Sequence, residues 1–328
     1  MNDELWFDAD GGPGPVLREC LAAAAAAPSI HNTQPWLFRV AEDLVEVLVD
    51  KARRLDNVDP DGRELHLSVG AAVFNLRVAV RAHGRHPEVV VLPDADHPEL
   101  AARVRMGRAR TSTPAAVALA GAIPRRHTNR RPYRNRPVPP AVLADLAVAG
   151  DREGVTVLVA DGALRSSVWS LVRTADTLLR ADHGYQAELA AWTTPGGIGR
   201  RDGVPREAFG PRDKNEAIPL RDFSVGNGAP TATVQFEHEP TALLILTGGD
   251  APADWLRAGM ALERVLLTAT VRGLAATPLS QVVEVPHLRS LLGDQANGLT
   301  LQSVLRVGYP ATRMRPTPRR PLDEVLLS

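Results

Sequence analysis

The 328-residue sequence predicts a mixed α/β (α+β) protein made of two related halves, and three observations carry that expectation. The mostly apolar stretch from Leu65 to Gly84 is echoed from Asp254 to Gly273, with Gly70 falling on Gly259 and Gly84 on Gly273 at one constant offset. Each copy reads as a buried helix ended by a glycine free to take the left-handed C-cap conformation. Each then leads to a β-branched stretch, Val89 to Leu92 and Val282 to Val285. Finally, Pro15-Val16-Leu17 opens a helix in the first half, and Pro137 to Leu143 opens one, running to about Val148, in the second. Two buried helices also share Ala, Val and Leu by chance; the matched openings favour a true repeat. The halves are read as about 1–115 and 120–328, joined by the Thr111 to Pro114 turn and the segment from Ala115 to Ile123.

In chain order, Leu17 to Ala27 is almost pure helix former, and Pro28 stops it, which throws Ser29 to Gln34 into a loop. Ser29, Asn32 and Gln34 gather uncharged donors and acceptors on one turn, and these suit the pteridine-like edge of a flavin better than a phosphate. A turn rich in capping residues is the bland alternative. Further on, Arg125 to Arg136 holds six arginines in twelve residues. In an extended segment before Pro132, Arg126, Thr128 and Arg130 point to one side, giving two guanidinium forks and a hydroxyl that can grip a phosphate. A solvated basic strip or a nucleic-acid patch is the alternative. From Trp192 to Asn227 the chain is rich in Gly, Pro and paired charges with little periodicity, and so long a loop is usually functional or disordered.

Composition narrows the classes. With 44% hydrophobic residues the chain can build a sizeable core, and 38 basic against 38 acidic residues leave no global pull toward nucleic acid or an anionic membrane. The single cysteine, Cys20, rules out a disulfide framework and a multi-thiolate metal site, and its apolar helix makes it a buried inert thiol. His83 and His86 lack partners at metal-ligand spacing, and no metal is expected. Neither a leader segment nor a membrane-length apolar run is seen, so the cytoplasm is expected. There is no Gly-x-Gly-x-x-Gly after a strand, hence no separate dinucleotide domain.

The string Pro28-Ser29-Ile30-His31-Asn32-Thr33-Gln34-Pro35-Trp36 resembles the flavin-contacting loop of the nitroreductase family, and its His31-Asn32-Thr33 form is similar to the Acg-like FMN-binding branch of actinobacteria. Arg126-x-Thr128-x-Arg130 resembles that family's basic-x-Ser-x-basic phosphate pattern, and Pro318-Arg319-Arg320-Pro321-Leu322 its terminal phosphate-binding segment. The resemblance implies a nitroreductase-like fold. Family homodimers bind FMN across the subunit interface, so two fused halves would be that dimer in one chain.

It further implies that Pro28, Ser29, Ile30, Asn32 and Gln34 contact FMN, and that Arg125, Arg126, Thr128 and Arg130 hold its phosphate. Arg320 and, more weakly, Arg319 assist, because Pro318 stands where a Lys is often found. Leu274 to Ser280 is similar to the family segment beside the ring, with Pro278, Leu279 and the Ser280 amide near flavin N5; a plain helix-to-strand turn is the alternative. The front half, Gly11 to Val16, lacks the arginine pattern and the back half lacks the loop, so one FMN per chain is expected. The insertion at about 192–227 is read as a lid.

The function implied is an FMN-dependent oxidoreductase passing reducing equivalents through flavin N5 from NAD(P)H to a small acceptor such as a nitroaromatic or a quinone. No catalytic side chain is demanded, since the flavin carries the chemistry. The alternative is a flavin-binding or storage protein with a closed lid and little turnover. A small-molecule substrate, or none, is the expected partner, with neither nucleic acid nor membrane. A pseudo-dimer within one chain is expected to be a monomer, a homodimer being the alternative.

Overall fold

A computed structural model of the protein describes residues 5–8, 10–194, 200–224 and 232–327. The first half opens with α1 (Pro15–Ala25), where Pro15 sits in the first turn and costs no hydrogen bond, and its alanines let Leu17, Cys20 and Leu21 bury against the core. The strands β1 (Trp36–Ala41) and β2 (Leu44–Val49) follow as an antiparallel pair. Then come α2 (Arg63–Ala82), β3 (Arg85–Val91) and β4 (Leu100–Ala109). The linking segment contains α3 (Pro114–Ala120), capped by Thr113, whose hydroxyl accepts from the Ala116 amide.

The second half repeats the plan. It runs α4 (Pro140–Asp151), β5 (Thr156–Ala160), α5 (Gly162–Ala181) and α6 (His183–Ala191). The short strands β6 (Thr193–Thr194) and β7 (Val204–Pro205) pair with each other, as do β8 (Arg212–Asp213) and β9 (Thr233–Val234). After them stand β10 (Thr241–Thr247), α7 (Pro252–Val271), β11 (Ala275–Pro278), α8 (Pro286–Gln295) and β12 (Thr300–Gly308). The chain closes with α9 (Leu322–Val325) and β13 (Leu326–Leu327).

The strand orders make the repeat explicit. The first sheet reads β13-β1-β2-β4-β3 and the second β11-β12-β10-β5. Matching β1, β2, β3 and β4 to β5, β10, β11 and β12 gives the same order in both, with α1 matching α4 and α2 matching α7. The helices α2 and α7 are each 20 residues long and start 189 positions apart, at 63 and 252, the same offset that carries Gly70 to Gly259. Gly84 and Gly273, just past the two helix ends, have φ of +82° and +75°, the left-handed C-cap that only glycine adopts at little cost.

Two expectations are corrected. Val282 to Val285 is a turn and not a strand; the strand after Gly273 is β11, while Val282, Val283 and Val285 are buried in the core just before Pro286 starts α8. The β-branched side chains serve packing there, with no neighbouring strand to pair. The helix opened by Pro140 continues to Asp151, beyond Val148. One strand crosses between the halves: β13, from the chain's end, pairs parallel with β1, placing Leu326 beside Phe38 in the first sheet.

Candidate functional site

Where the halves meet, a cavity opens along α2 and α7. Its walls include Pro28, Ser29, Ile30 and His31 from the loop after α1, Thr128 and Arg130 from the segment before α4, and Pro278 and Ser280 at the end of β11. Of the residues marked from the sequence, Pro28, Ser29, Ile30, Thr128, Arg130, Pro278 and Ser280 are therefore brought together. Thr128 also lines a neighbouring pocket with Arg125 and Arg126.

The remaining marked residues are placed differently. Asn32 and Gln34 are spent as latches. The Asn32 amide donates to the carbonyls of Gly203 (2.9 Å) and Pro318 (3.1 Å), and its Oδ1 accepts from Arg319 (3.0 Å). Gln34 Nε2 donates to the Arg201 carbonyl (2.9 Å), and its Oε1 accepts from the Arg320 amide (2.7 Å). The loop thus ties the insertion and the tail to the first half. Its backbone pays with left-handed φ at His31, Asn32 and Gln34 (+45°, +56° and +53°), conformations held by the Gln34 amide donating to Ser29 Oγ (2.9 Å) and by the latches. Leu279 is buried in the second half's core and donates its amide to the Val304 carbonyl.

The two tail arginines part company. Arg319 is half-buried and donates to Ala26, Ala27 and Thr317 carbonyls as well as to Asn32; desolvation, then the charge of Arg126, pulls its pKa down to about 9. Arg320 turns to Asp50 (3.4 Å) and Glu324 (3.6 Å). Arg126, 6% exposed, faces the fully buried Glu263 of α7 at 3.4 Å, and no hydrogen bond satisfies its Nε. Burial raises Glu263 to about 7, Arg126 opposing, and burial with Arg126 and Arg319 lowers His127 to about 4. This corner holds more buried positive charge than its one carboxylate balances.

The insertion supplies the opposite wall. Arg221 and Phe223 line the cavity, and Arg130 stacks over the Phe223 ring at 4.6 Å while donating to the Ala208 carbonyl. Arg221 donates to Tyr185 Oη, to Ser280 Oγ (2.8 Å) and to Glu284. Burial opposes its charge, but Glu284 and Tyr185 hold its pKa above the ordinary value. Burial and then Arg221 pull Arg130 down to about 10. Of the stretch 192–227, residues 195–199 and 225–227 lie outside the described residues.

Comparison with known proteins assigns the lineage. The chain is 35% identical over 317 residues to "Putative NAD(P)H nitroreductase Rv3131" of Mycobacterium tuberculosis, a match covering 95% of this chain and 91% of the relative. The chain belongs to the nitroreductase family. A second Mycobacterium tuberculosis relative, "Putative NAD(P)H nitroreductase acg", is 31% identical over 319 residues, covering 94% and 95% of the two chains, which sets this nitroreductase beside the Acg-like branch. No protein-family model matches the chain. Among solved structures, the FMN-dependent nitroreductase NfnB of Mycobacterium smegmatis, in complex with NADPH, aligns with 64% of this chain and 97% of its own at 17% identity and a TM-score of 0.37; the assignment rests on the sequence relatives.

Four cavity residues of this nitroreductase were not legible as such. His31 is buried with neither ring nitrogen partnered, and burial, with Arg221 and Arg130, lowers its pKa far enough to keep the ring neutral. Glu64 sits in the first turn of α2, where an acid reads as a favourable end charge and nothing more. Arg221 and Phe223 lie in an aperiodic stretch that gives no hint of which side chains turn inward. Among the described residues no group of three or more His, Cys, Asp and Glu is arranged to hold a metal, and no helix is long and apolar enough to cross a membrane.

Proposed function

We propose that this chain is an FMN-binding oxidoreductase that takes reducing equivalents from NAD(P)H and passes them through flavin N5 to a small acceptor, such as a nitroaromatic or a quinone. The observation that carries the reading is the cavity itself: segments around residues 29, 128 and 280, far apart in the chain and split between the halves, converge on it. The chemistry of the walls suits the group. Arg126 Nε and Arg319 Nε are buried without a hydrogen-bond partner, and two guanidiniums crowded beside one carboxylate call for an anion such as the phosphate of FMN. Arg126 with Arg125, Thr128 and Arg319 would hold the phosphate, and Pro28, Ser29, Ile30, Pro278 and Ser280 would border the ring. Arg320 supports the site through Asp50. Bound FMN would supply the two-electron chemistry; the protein binds, orients and shields it.

The two-half plan supports the division at about 115 and 120, with the loop in the first half and the arginines in the second, and one FMN per chain. A second reading is favoured by one observation. Arg221 and Phe223 close the cavity from the insertion, as a lid would, so a flavin-storing protein with little turnover is the competitor. Visible spectra of the purified protein before and after anaerobic NADH or NADPH test both. Flavin bands that bleach on addition support the oxidoreductase; bands that persist leave storage; a colourless protein defeats the two together.

A further inference from the structure

The cavity walls carry four ionisable side chains: His31, Glu64, Arg130 and Arg221. The two guanidiniums cannot give up a proton under ordinary conditions, and His31 is held neutral, with no proton to spare as an imidazolium. Glu64 differs from all three. It is 8% exposed, and its Oε2 is buried without any hydrogen-bond partner. Its backbone is fixed: the Glu64 amide donates to Asp59 Oδ1 (3.0 Å), and its carbonyl accepts from Ser68 Oγ (2.7 Å), the same oxygen that receives the Ile30 amide (3.2 Å). The Glu64 backbone is therefore tied to its own helix and, through Ser68, to the loop after α1.

The charges around it decide which carboxyl in the cluster keeps a proton. Arg221 donates its guanidinium to Glu284 in a buried ion pair. Burial raises the Asp59 carboxyl above its ordinary value as well, but two helix amides, from Glu64 and Leu65, donate to it and oppose that rise. The 3.4 Å contact with Arg63 and the charge of Arg221 favour the ionised form of Glu64, but Arg63 is shared with the Gln302 carbonyl at 2.6 Å. Burial, followed by the neighbouring Glu284, thus lifts Glu64 well above the carboxylate range. A buried carboxyl kept neutral beside a substrate cavity is a group able to donate a proton.

We propose that Glu64 is the catalytic acid of the oxidative half-reaction, delivering a proton to an acceptor bound in the cavity; this rests on the oxidoreductase reading above. A quinone becomes a hydroquinone by gaining two electrons and two protons. A hydride equivalent, drawn originally from a reduced nicotinamide, brings both electrons and one proton. The second proton comes from Glu64: its carboxyl O–H bond breaks as an O–H bond forms on the quinone's carbonyl oxygen. The resulting carboxylate is reprotonated by water. Arg221, which also donates to Ser280 Oγ, stays bound to Glu284 beside the acid.

The test uses the FMN-loaded full chain, reduced with dithionite so that NAD(P)H is not needed, and follows flavin reoxidation by a small benzoquinone under anaerobic conditions. The parent should reoxidise with a rate that falls as pH rises through about 8. Glu64→Gln should be slower by roughly 100-fold with that alkaline limb gone, and Glu64→Asp should restore part of both. Infrared difference spectra of parent minus Glu64→Gln supply a readout independent of turnover: a protonated-carboxyl C=O band present at pH 6.5 and lost by pH 9.5. FMN present with parental rate and pH profile in Glu64→Gln, or an ionised Glu64 at pH 6.5, overturns the acid alone. A parent that binds no FMN overturns the flavin reading and the acid with it. Should Glu64→Gln fail to fold, the same infrared titration of Glu263→Gln, which removes the other carboxyl raised to about 7, decides: a protonated-carboxyl band that persists supports the acid, and its disappearance overturns it.

Discussion

Gly70 and Gly259 face each other where α2 crosses α7: a Cβ on Gly70 would lie 3.1 Å from the Gly259 Cα, and a Cβ on Gly259 would lie 2.8 Å from the Leu67 Cα. The obstructing atoms are backbone, which cannot rotate away. The cavity runs along these same two helices, so the closeness of their crossing sets its width. Gly259→Ala should accordingly cost roughly 1–3 kcal/mol, as overpacking does, and lower the thermal midpoint. Calorimetry that found the variant as stable as the parent would mean the helices do not approach so closely.

Asn32 is the second structural hinge of the account. Replacing it by Ala strands the buried Gly203 carbonyl, a loss of roughly 1–3 kcal/mol if unrelieved by water, and removes its contacts to the Pro318 carbonyl and to Arg319, which remain bonded to each other. Asn32→Ala should then free the insertion and the tail, seen as faster proteolytic cleavage near residues 200–224 and 311–320. Unchanged cleavage rates would show that the latch is dispensable.

The repeat, its helix ends and its central glycines were readable because a constant offset survives in residues that packing constrains on both sides. The loop at Pro28 to Gln34 was readable for its unusual density of polar side chains after a pure helix. What each of those side chains does was not. Asn32 and Gln34 look like ligand contacts in sequence, yet their amides point to the backbone of distant segments, a choice set by tertiary approach. Arg319 and Arg320 are neighbours with opposite surroundings, since successive residues of an extended segment face opposite ways. Glu64 was hidden for the same reason: whether a first-turn acid meets water or a second carboxyl depends on what folds over it.

Arg126→Ala should weaken FMN retention by roughly 10- to 100-fold, the loss of one charged phosphate contact worth about 1.5–3 kcal/mol. The substitution also leaves Glu263 without its cation, so it is best paired with Glu263→Gln. Arg320→Ala, whose partners are Asp50 and Glu324, should weaken retention less. Equilibrium dialysis showing the reverse order would move the phosphate toward Arg320.

Glu263 also gives the fold a pH signature. Its folded pKa is raised to about 7, above the value near 4.5 of an exposed glutamate, so between these limits the native state holds the proton that the unfolded chain has lost. This contribution to stability is full below about 4.5 and lost as pH rises through 7. Glu263→Gln removes the titration, and its stability relative to the parent should rise from pH 5 to pH 8 by denaturant melts. A constant difference across that range would mean that Glu263 is ionised throughout.

One flavin is expected between the halves, because the loop around Ser29 and the segment around Thr128 and Arg130 each occur once and meet at one cavity. Acid release of cofactor from the purified protein, with FMN measured by fluorescence against chain concentration, tests it most directly. A ratio near one FMN per chain is expected; a ratio near two, or a protein that takes up none when FMN is supplied, would contradict a single site between the halves.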